Sequence, residues 1–228
     1  MLYEFMHPFD GKLDEWGQQQ FSQFGEDVCL WAWIETLRMT DARGFYVDVG
    51  AHHPRKGNNT YLLRKLLGWT GINIEPDPKL YAAFVEECPN CTNLQFAVGN
   101  NAGRANLTVY NHPGANTMSD TLRARQAADP RIVVVDTINV EVHRLNDILE
   151  KYLPPDRDFR LLTIDAEGLD FEIISSLDTD RYKPSLILIE DFEFDLATPD
   201  ASKTFRLLQG VGYRPVSHCM VTTLYRKL

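Results

Sequence analysis

Between residues 26 and 37 the apolar positions Val28, Trp31, Ile34 and Leu37 recur every third residue, which predicts a helix that packs along one side. Residues 45–49 are a short apolar run ending at Gly50 and predict a buried strand; 60–67 predict a helix stopped by Gly68. Strand 72–75 follows, then helix 79–88, with Pro78 where a first helical turn tolerates proline, then strand 94–98. The alternation resumes with strand 161–165, helix 171–177, strand 186–190 and helix 201–209, and 212–218 with 221–226 predict a closing antiparallel hairpin. Strands and helices in this order build a mostly parallel sheet covered on both faces, an α/β fold. The rhythm breaks over 104–142, where 107–110 and 132–135 predict extra strands around a polar stretch, 111–130, expected to be a mobile loop or lid. No internal repeat is visible. A single domain over 1–228 is expected, with 1–40 as an N-terminal helical cap and 104–142 as an insertion.

Composition narrows the partners. The 228 residues are 44% hydrophobic and 24% charged, an ordinary globular composition at a length that builds a full core without metal or disulfide staples. A net charge of −9 repels phosphate backbones and anionic lipid, so a small-molecule partner is expected, with no nucleic acid and no membrane. The chain has neither a basic start with an apolar run nor a stretch of about 20 apolar residues, and a cytoplasmic location is expected. Cys29, Cys88, Cys91 and Cys219 are too scattered for a disulfide framework. Cys88-Pro-Asn-Cys91 has the spacing of half a zinc site but no second half, so a plain loop after a helix is expected there.

In an open parallel sheet, ligands bind beyond the carboxyl ends of the strands. Those ends read Asp48-Val49-Gly50-Ala51, Glu75-Pro76-Asp77, Val98-Gly99-Asn100, Asp165-Ala166-Glu167-Gly168 and Glu190-Asp191, and acidic residues dominate them. Gly50 and Ala51 let a ligand approach the backbone, and Glu75, ending the next strand, stands where a carboxylate takes the hydroxyls of a ribose. A nicotinamide dinucleotide wants G-x-G-x-x-G under its pyrophosphate, whereas this turn reads Gly50-Ala51-His52-His53-Pro54, and no P-loop exists. An acidic turn suits a ligand without phosphate and with a positive centre. S-adenosylmethionine, with its ribose, adenine and sulfonium, has both properties.

Four runs in order, Ser22-Gln23-Phe24-Gly25-Glu26-Asp27, Val47-Asp48-Val49-Gly50-Ala51, Gly71-Ile72-Asn73-Ile74-Glu75-Pro76-Asp77-Pro78 and Ile164-Asp165-Ala166-Glu167-Gly168, resemble the FkbM family of S-adenosylmethionine-dependent methyltransferases over residues 21–225. The resemblance implies a Rossmann-like seven-stranded methyltransferase sheet, mostly parallel, with a C-terminal antiparallel hairpin. It implies that Asp48 and Gly50 form the cofactor turn, that Glu75 meets the ribose, that Val98 flanks adenine and that Gln23 caps the cofactor side, with Ala51 and Pro76 also among the cofactor-binding residues. Two departures stand out. His52-His53-Pro54 occupies the turn where relatives often carry Asn and a later glycine, and Thr163 stands where many carry lysine.

Methyl transfer from a sulfonium is an in-line displacement, so alignment supplies most of the rate and a hydroxyl acceptor must also lose its proton. Asp165, Glu190 and Asp191 offer hard oxygens suited to magnesium, an arrangement similar to metal-dependent O-methyltransferases. The plainer alternative is that Asp165 and Glu167 cap the following helix. Asp165, Glu167 and His53 form the expected catalytic set, with His52 a further base candidate. His143 and His218 are expected to be structural. The expected function is S-adenosylmethionine-dependent O-methylation of a sugar or natural product, with or without magnesium. A nucleotide-sugar or nicotinamide enzyme, and a non-catalytic cofactor-binding protein of a biosynthetic assembly, are the alternatives. A homo-oligomer stays open.

Overall fold

A computed structural model describes residues 20–228, so residues 1–19 of the expected helical cap over 1–40 lie outside the described residues. Helix α1 (Glu26–Thr36) leads to strand β1 (Gly44–Val49), helix α2 (Tyr61–Leu67), β2 (Thr70–Ile74), α3 (Pro78–Glu87) and β3 (Thr92–Leu94). After an insertion come α5 (Leu145–Tyr152), β7 (Asp158–Ile164), α6 (Asp170–Ser175), β8 (Leu186–Glu190), α7 (Lys203–Gly210), β9 (Tyr213–Cys219) and β10 (Thr222–Lys227). These strands form one seven-stranded sheet in the order β3-β2-β1-β7-β8-β10-β9. Every pair from β3 to β8 is parallel, and β10 is antiparallel to both β8 and β9.

Side-chain alternation sorts the core into two layers. Val47, Val49, Ile72, Ile74, Leu162, Ile164, Ile187 and Ile189 pack with α5, α6 and α7 on one face. Tyr46, Leu161, Leu186 and Leu188 pack with Leu30 and Ile34 of α1 and Leu63 of α2 on the other. Carried to the strand ends, this second register arrives at Asp48, Glu75, Asp165 and Glu190. The reading frame that fills the core thus delivers four carboxyl groups to one rim.

The middle of the chain differs from expectation in three ways. The run at 94–98 is two strands, because the chain turns at Gln95 and Phe96: β3 stays in the main sheet, while β4 (Ala97–Val98) pairs with β6 (Val134–His143). β6 also pairs antiparallel with β5 (Gly103–Tyr110), and Phe96 lies against His143 with ring centroids 4.2 Å apart. The expected loop 111–130 contains a 3-10 turn (Pro113–Ala115) and helix α4 (Asp120–Gln126), capped by Ser119. Finally, α5 has the apolar spacing Leu145, Ile148, Leu149 of an amphipathic helix, yet it was not anticipated.

Cys88 and Cys91 are joined in a disulfide after α3, in place of a plain loop or half a zinc site. The free thiols of Cys29 and Cys219 lie 3.6 Å apart, linking α1 to the hairpin. No helix among the described residues is long and apolar enough to cross a membrane.

Candidate active site

The strand ends are knitted by backbone hydrogen bonds. Gly50 N–H and Ala51 N–H both donate to Ile74 O, and Asp165 N–H donates to Val49 O at 2.9 Å. Gly50 has φ 74°, and a Cβ there would lie 1.7 Å from the carbonyl oxygen of Asp165. Only glycine combines that dihedral with that approach. What comes close to Gly50 is therefore first the neighbouring strand end, which brings β1 and β7 together at the floor of a cavity of about 550 Å³. That volume is in the range of small-ligand sites, roughly 300–1,000 Å³.

Glu75 lines this cavity and is 6% exposed. Its Oε2 accepts His52 N–H and its Oε1 accepts Asp77 N–H, each at 2.8 Å, so two backbone donors hold the carboxylate in one orientation. Burial pushes its pKa up to about 8 against these donors, with Asp77 and Asp48 adding repulsion. Gln23, Gly50, Pro76 and Val98 also line the cavity.

The remaining expected cofactor residues act from behind. Asp48 does not line the cavity: its Oδ2 accepts Thr60 Oγ1–H at 3.0 Å and Asn58 Nδ2–H at 3.4 Å. Burial raises Asp48 to about 6, and Thr60, Arg64 and Asn58 pull the other way. Asn58 also donates to Ala51 O, and Arg64 to Thr60 Oγ1 and Pro54 O, so Asp48 and Ala51 belong to the brace that sets loop 50–60. His53 is likewise corrected. Its Nδ1 accepts Arg55 N–H and Lys56 N–H, and it is His52 that stands on the cavity wall, with burial lowering the pKa of both.

The Ser22–Asp27 run has a similar division of labour. Asp27 accepts Phe21 N–H and Ser22 Oγ–H, Glu26 accepts Phe24 N–H, and Ser22 Oγ accepts Gly25 N–H. These bonds shape the start of α1 so that Gln23 and Phe24 project onto the cavity.

On the opposite side, Asp165, Glu167 and Glu190 face the same cavity. Asp165 Oδ1 and Glu190 Oε2 are buried and accept no hydrogen bond from any described residue. Burial raises all three carboxyl groups; repulsion from Asp170 and Asp48 adds to Asp165, and repulsion from Asp165 and Asp170 adds to Glu167 and Glu190. One oxygen each from Asp165, Asp170 and Glu190 lies within 4.8 Å of the others, a set that could hold a metal ion. Asp191 is not in it, because the next residue of a strand points to the other face: its carboxylate accepts Ser202 Oγ–H and Glu193 N–H. Asp170, absent from the sequence reading, accepts Ala166 N–H and Gly168 N–H, and burial raises it to about 6. Those donors lie in the loop before α6, so Asp170 fastens that loop, and no side chain caps α6 itself.

A family model for the methyltransferase FkbM domain matches residues 48–215. The chain belongs to the FkbM methyltransferase family. Methyltransferase sdnD of Sordaria araneosa is 27% identical over 163 residues, a match covering 61% of this chain and 62% of that protein. No solved structure matches.

Two features of this FkbM-family chain escaped the sequence. His52 (φ 55°) and Glu167 (φ 49°), one on each wall, occupy the left-handed region, a strain of about 1–3 kcal/mol per non-glycine residue that concentrates at functional sites. The segment expected to be a mobile lid is also pinned across the rim. Asn116 Nδ2–H donates to Asp77 Oδ2 at 3.2 Å, Thr117 Oγ1–H donates to Glu167 O at 2.6 Å, and Thr117 bridges to Thr108. The roof therefore touches both walls, and the signal for it was the Asn/Thr/Ser run after Pro113.

Proposed function

We propose that the chain is an S-adenosylmethionine-dependent O-methyltransferase acting on a hydroxyl of a sugar or natural-product acceptor. The observation that carries this reading is Glu75, a buried carboxylate oriented by two backbone donors on the wall of the cavity, with free lone pairs left for ribose hydroxyls. Family membership and the name of the Sordaria relative, a methyltransferase, support methyl transfer.

The residues fit the cofactor. Glu75 is suited to the ribose, Val98 and Pro76 give apolar walls to adenine, and the acidic strand ends tolerate a positive centre that a phosphate ligand would lack. When bound, S-adenosylmethionine supplies an electrophilic methyl group. The chain orients the acceptor hydroxyl, excludes water beneath the 111–118 roof and receives the proton. Glu167 is the proton acceptor of choice because it lines the cavity beside Asp165 and Glu190; burial and its acidic neighbours raise it to about 9, so it acts from a deprotonated fraction that a bound cationic cofactor enlarges. The unpartnered oxygens of Asp165 and Glu190 also fit magnesium, which Asp165, Asp170 and Glu190 would hold and which would acidify the hydroxyl.

Thermal-shift measurement with S-adenosylhomocysteine and with NAD tests the reading. Stabilisation by S-adenosylhomocysteine alone is expected, and stabilisation by NAD alone would replace this function with a nicotinamide enzyme.

A further inference from the structure

Cys29 and Cys219 are 190 residues apart in sequence, and the fold brings their thiols to 3.6 Å, each the only side-chain hydrogen-bond partner of the other among the described residues. Cys29 stands in the first turn of α1 and Cys219 ends β9. Both are half-buried, and neither belongs to the clusters of apolar side chains that form the core. A cysteine kept for its volume is buried and inert, whereas two half-exposed thiols in contact are open to oxidation. The two cysteines also adjoin two parts of the cavity rim. Gln23 and Phe24, just before α1, line the cavity, and so do Met220 and Val221, next after Cys219. Phe24 and Met220 are exposed, so they stand where the cavity meets solvent. The hairpin turn is fixed to the end of β8, because Asp191 N–H donates to Val221 O at 2.7 Å. Between the start of α1 and that turn, the thiol contact is the only hydrogen bond among the described residues.

We propose that Cys29 and Cys219 form an oxidation site, a dithiol that takes a small disulfide oxidant such as glutathione disulfide and closes into a bond clamping the α1 side of the rim to the hairpin side. The Cys29 thiolate attacks one sulfur of the oxidant, forming a mixed disulfide and releasing one glutathione thiolate. The Cys219 sulfur then attacks the Cys29 sulfur, its proton passes to solvent and the second glutathione leaves as a thiolate. The protein gives up two electrons and two protons, and glutathione disulfide is reduced to two molecules of glutathione. Cys29 attacks first because burial, the neighbouring Cys29 thiol and the carboxylates of Glu26 and Asp27 push the Cys219 thiol up to about 12. The sulfurs have to close from 3.6 Å to about 2.05 Å. Ligand exchange through the mouth needs Phe24 and Met220 to part, so the bond slows exchange while leaving the cavity walls as they are.

The test incubates the full chain with glutathione disulfide or with dithiothreitol, removes the reagent, and compares the two forms by non-reducing peptide mass mapping, calorimetric melting and stopped-flow binding of S-adenosylhomocysteine. Cys29→Ser and Cys219→Ser, taken through the same cycle, account for any change at Cys88 and Cys91. The oxidised parent is expected to give a peptide linking Cys29 to Cys219. Its Tm should stand about 4–16 °C above that of the reduced form, since the bond closes a long loop of the unfolded chain. Association and dissociation of S-adenosylhomocysteine should both slow severalfold, and neither variant should gain the linked peptide, the Tm rise or the slowing. Glutathione adducts without the linked peptide would overturn the proposal. So would a linked peptide without a rise in Tm, a rise as large in the variants as in the parent, or S-adenosylhomocysteine exchanging at one rate in both forms. The exchange readout rests on the S-adenosylmethionine reading. If S-adenosylhomocysteine binds neither form, that reading fails by itself, and the linked peptide with its Tm rise still supports the clamp.

Discussion

The two walls of the cavity are built from the same element, an acidic strand end, and treat their carboxylates in opposite ways. On the β1–β2 wall, Glu75 has both oxygens held by backbone donors and Asp48 is buttressed by Thr60 and Asn58. On the β7–β8 wall, Asp165 and Glu190 keep buried oxygens without a donor, and Glu167 sits on a strained turn. A wall whose polar groups are satisfied before a ligand arrives suits one invariant ligand. A wall whose groups wait for a donor, a metal ion or a proton suits the reacting partner. On the proposed function, the difference separates binding from chemistry within one cleft.

Removing the hinge between the walls should have the largest effect. Gly50→Ala places a methyl against the Asp165 carbonyl at a positive φ, and should destabilise the protein by about 3 kcal/mol or more, a fall in Tm of roughly 6–12 °C read by calorimetry. Asp165→Asn should sharpen the contrast: turnover drops about 10²–10³-fold while S-adenosylhomocysteine affinity stays nearly constant, measured by methyl transfer and by titration side by side. Equal losses in both would merge the two walls into one function.

The pH dependence separates the walls further. Carboxyl groups whose pKa is raised in the folded protein keep their protons where the unfolded chain has lost them, so their stabilising contribution is present at low pH and disappears as pH rises. For Asp48 and Asp170 the loss runs from the ordinary carboxylate range to about 6, and for Glu75 to about 8. The Tm of the ligand-free protein should therefore fall between pH 5 and 8. Glu190→Gln should raise Tm at pH 8 and leave it little changed at pH 4, because the amide removes a buried acid that ionises at a cost. The smallest effect belongs to the roof. Thr117→Ala removes the bond to Glu167 O, costs about 1 kcal/mol and should raise the acceptor KM severalfold with little change in cofactor affinity.

The sheet was legible because its strands are apolar runs punctuated by Gly50 and Gly68, and because the helix-forming intervals between them are the right length. The insertion was harder. Gln95 and Phe96 break a run that looks continuous, since Phe96 is taken by His143 and the next two residues by β6. At the site, sequence proximity misled twice for the same reason. Consecutive residues at a strand end face opposite ways, so Asp191 goes to Ser202 while Glu190 faces the cavity; in the loop after β1, the left-handed backbone at His52 turns that ring to the cavity while His53 binds its own loop. Asp170 was invisible because its part is played through backbone N–H groups that only the folded turn brings near.

The central claim is that Glu75 anchors the ribose of S-adenosylmethionine. Calorimetric titration of S-adenosylhomocysteine into the protein and into Glu75→Ala, at pH 6.5 and 8.5, tests it directly. Two hydrogen bonds to a carboxylate predict an affinity loss of about a hundredfold or more in the variant. Linkage to a group that titrates at about 8 predicts that the parent binds more tightly at pH 8.5 and that the variant shows no such rise. Equal affinities for the two proteins at both pH values would contradict the account.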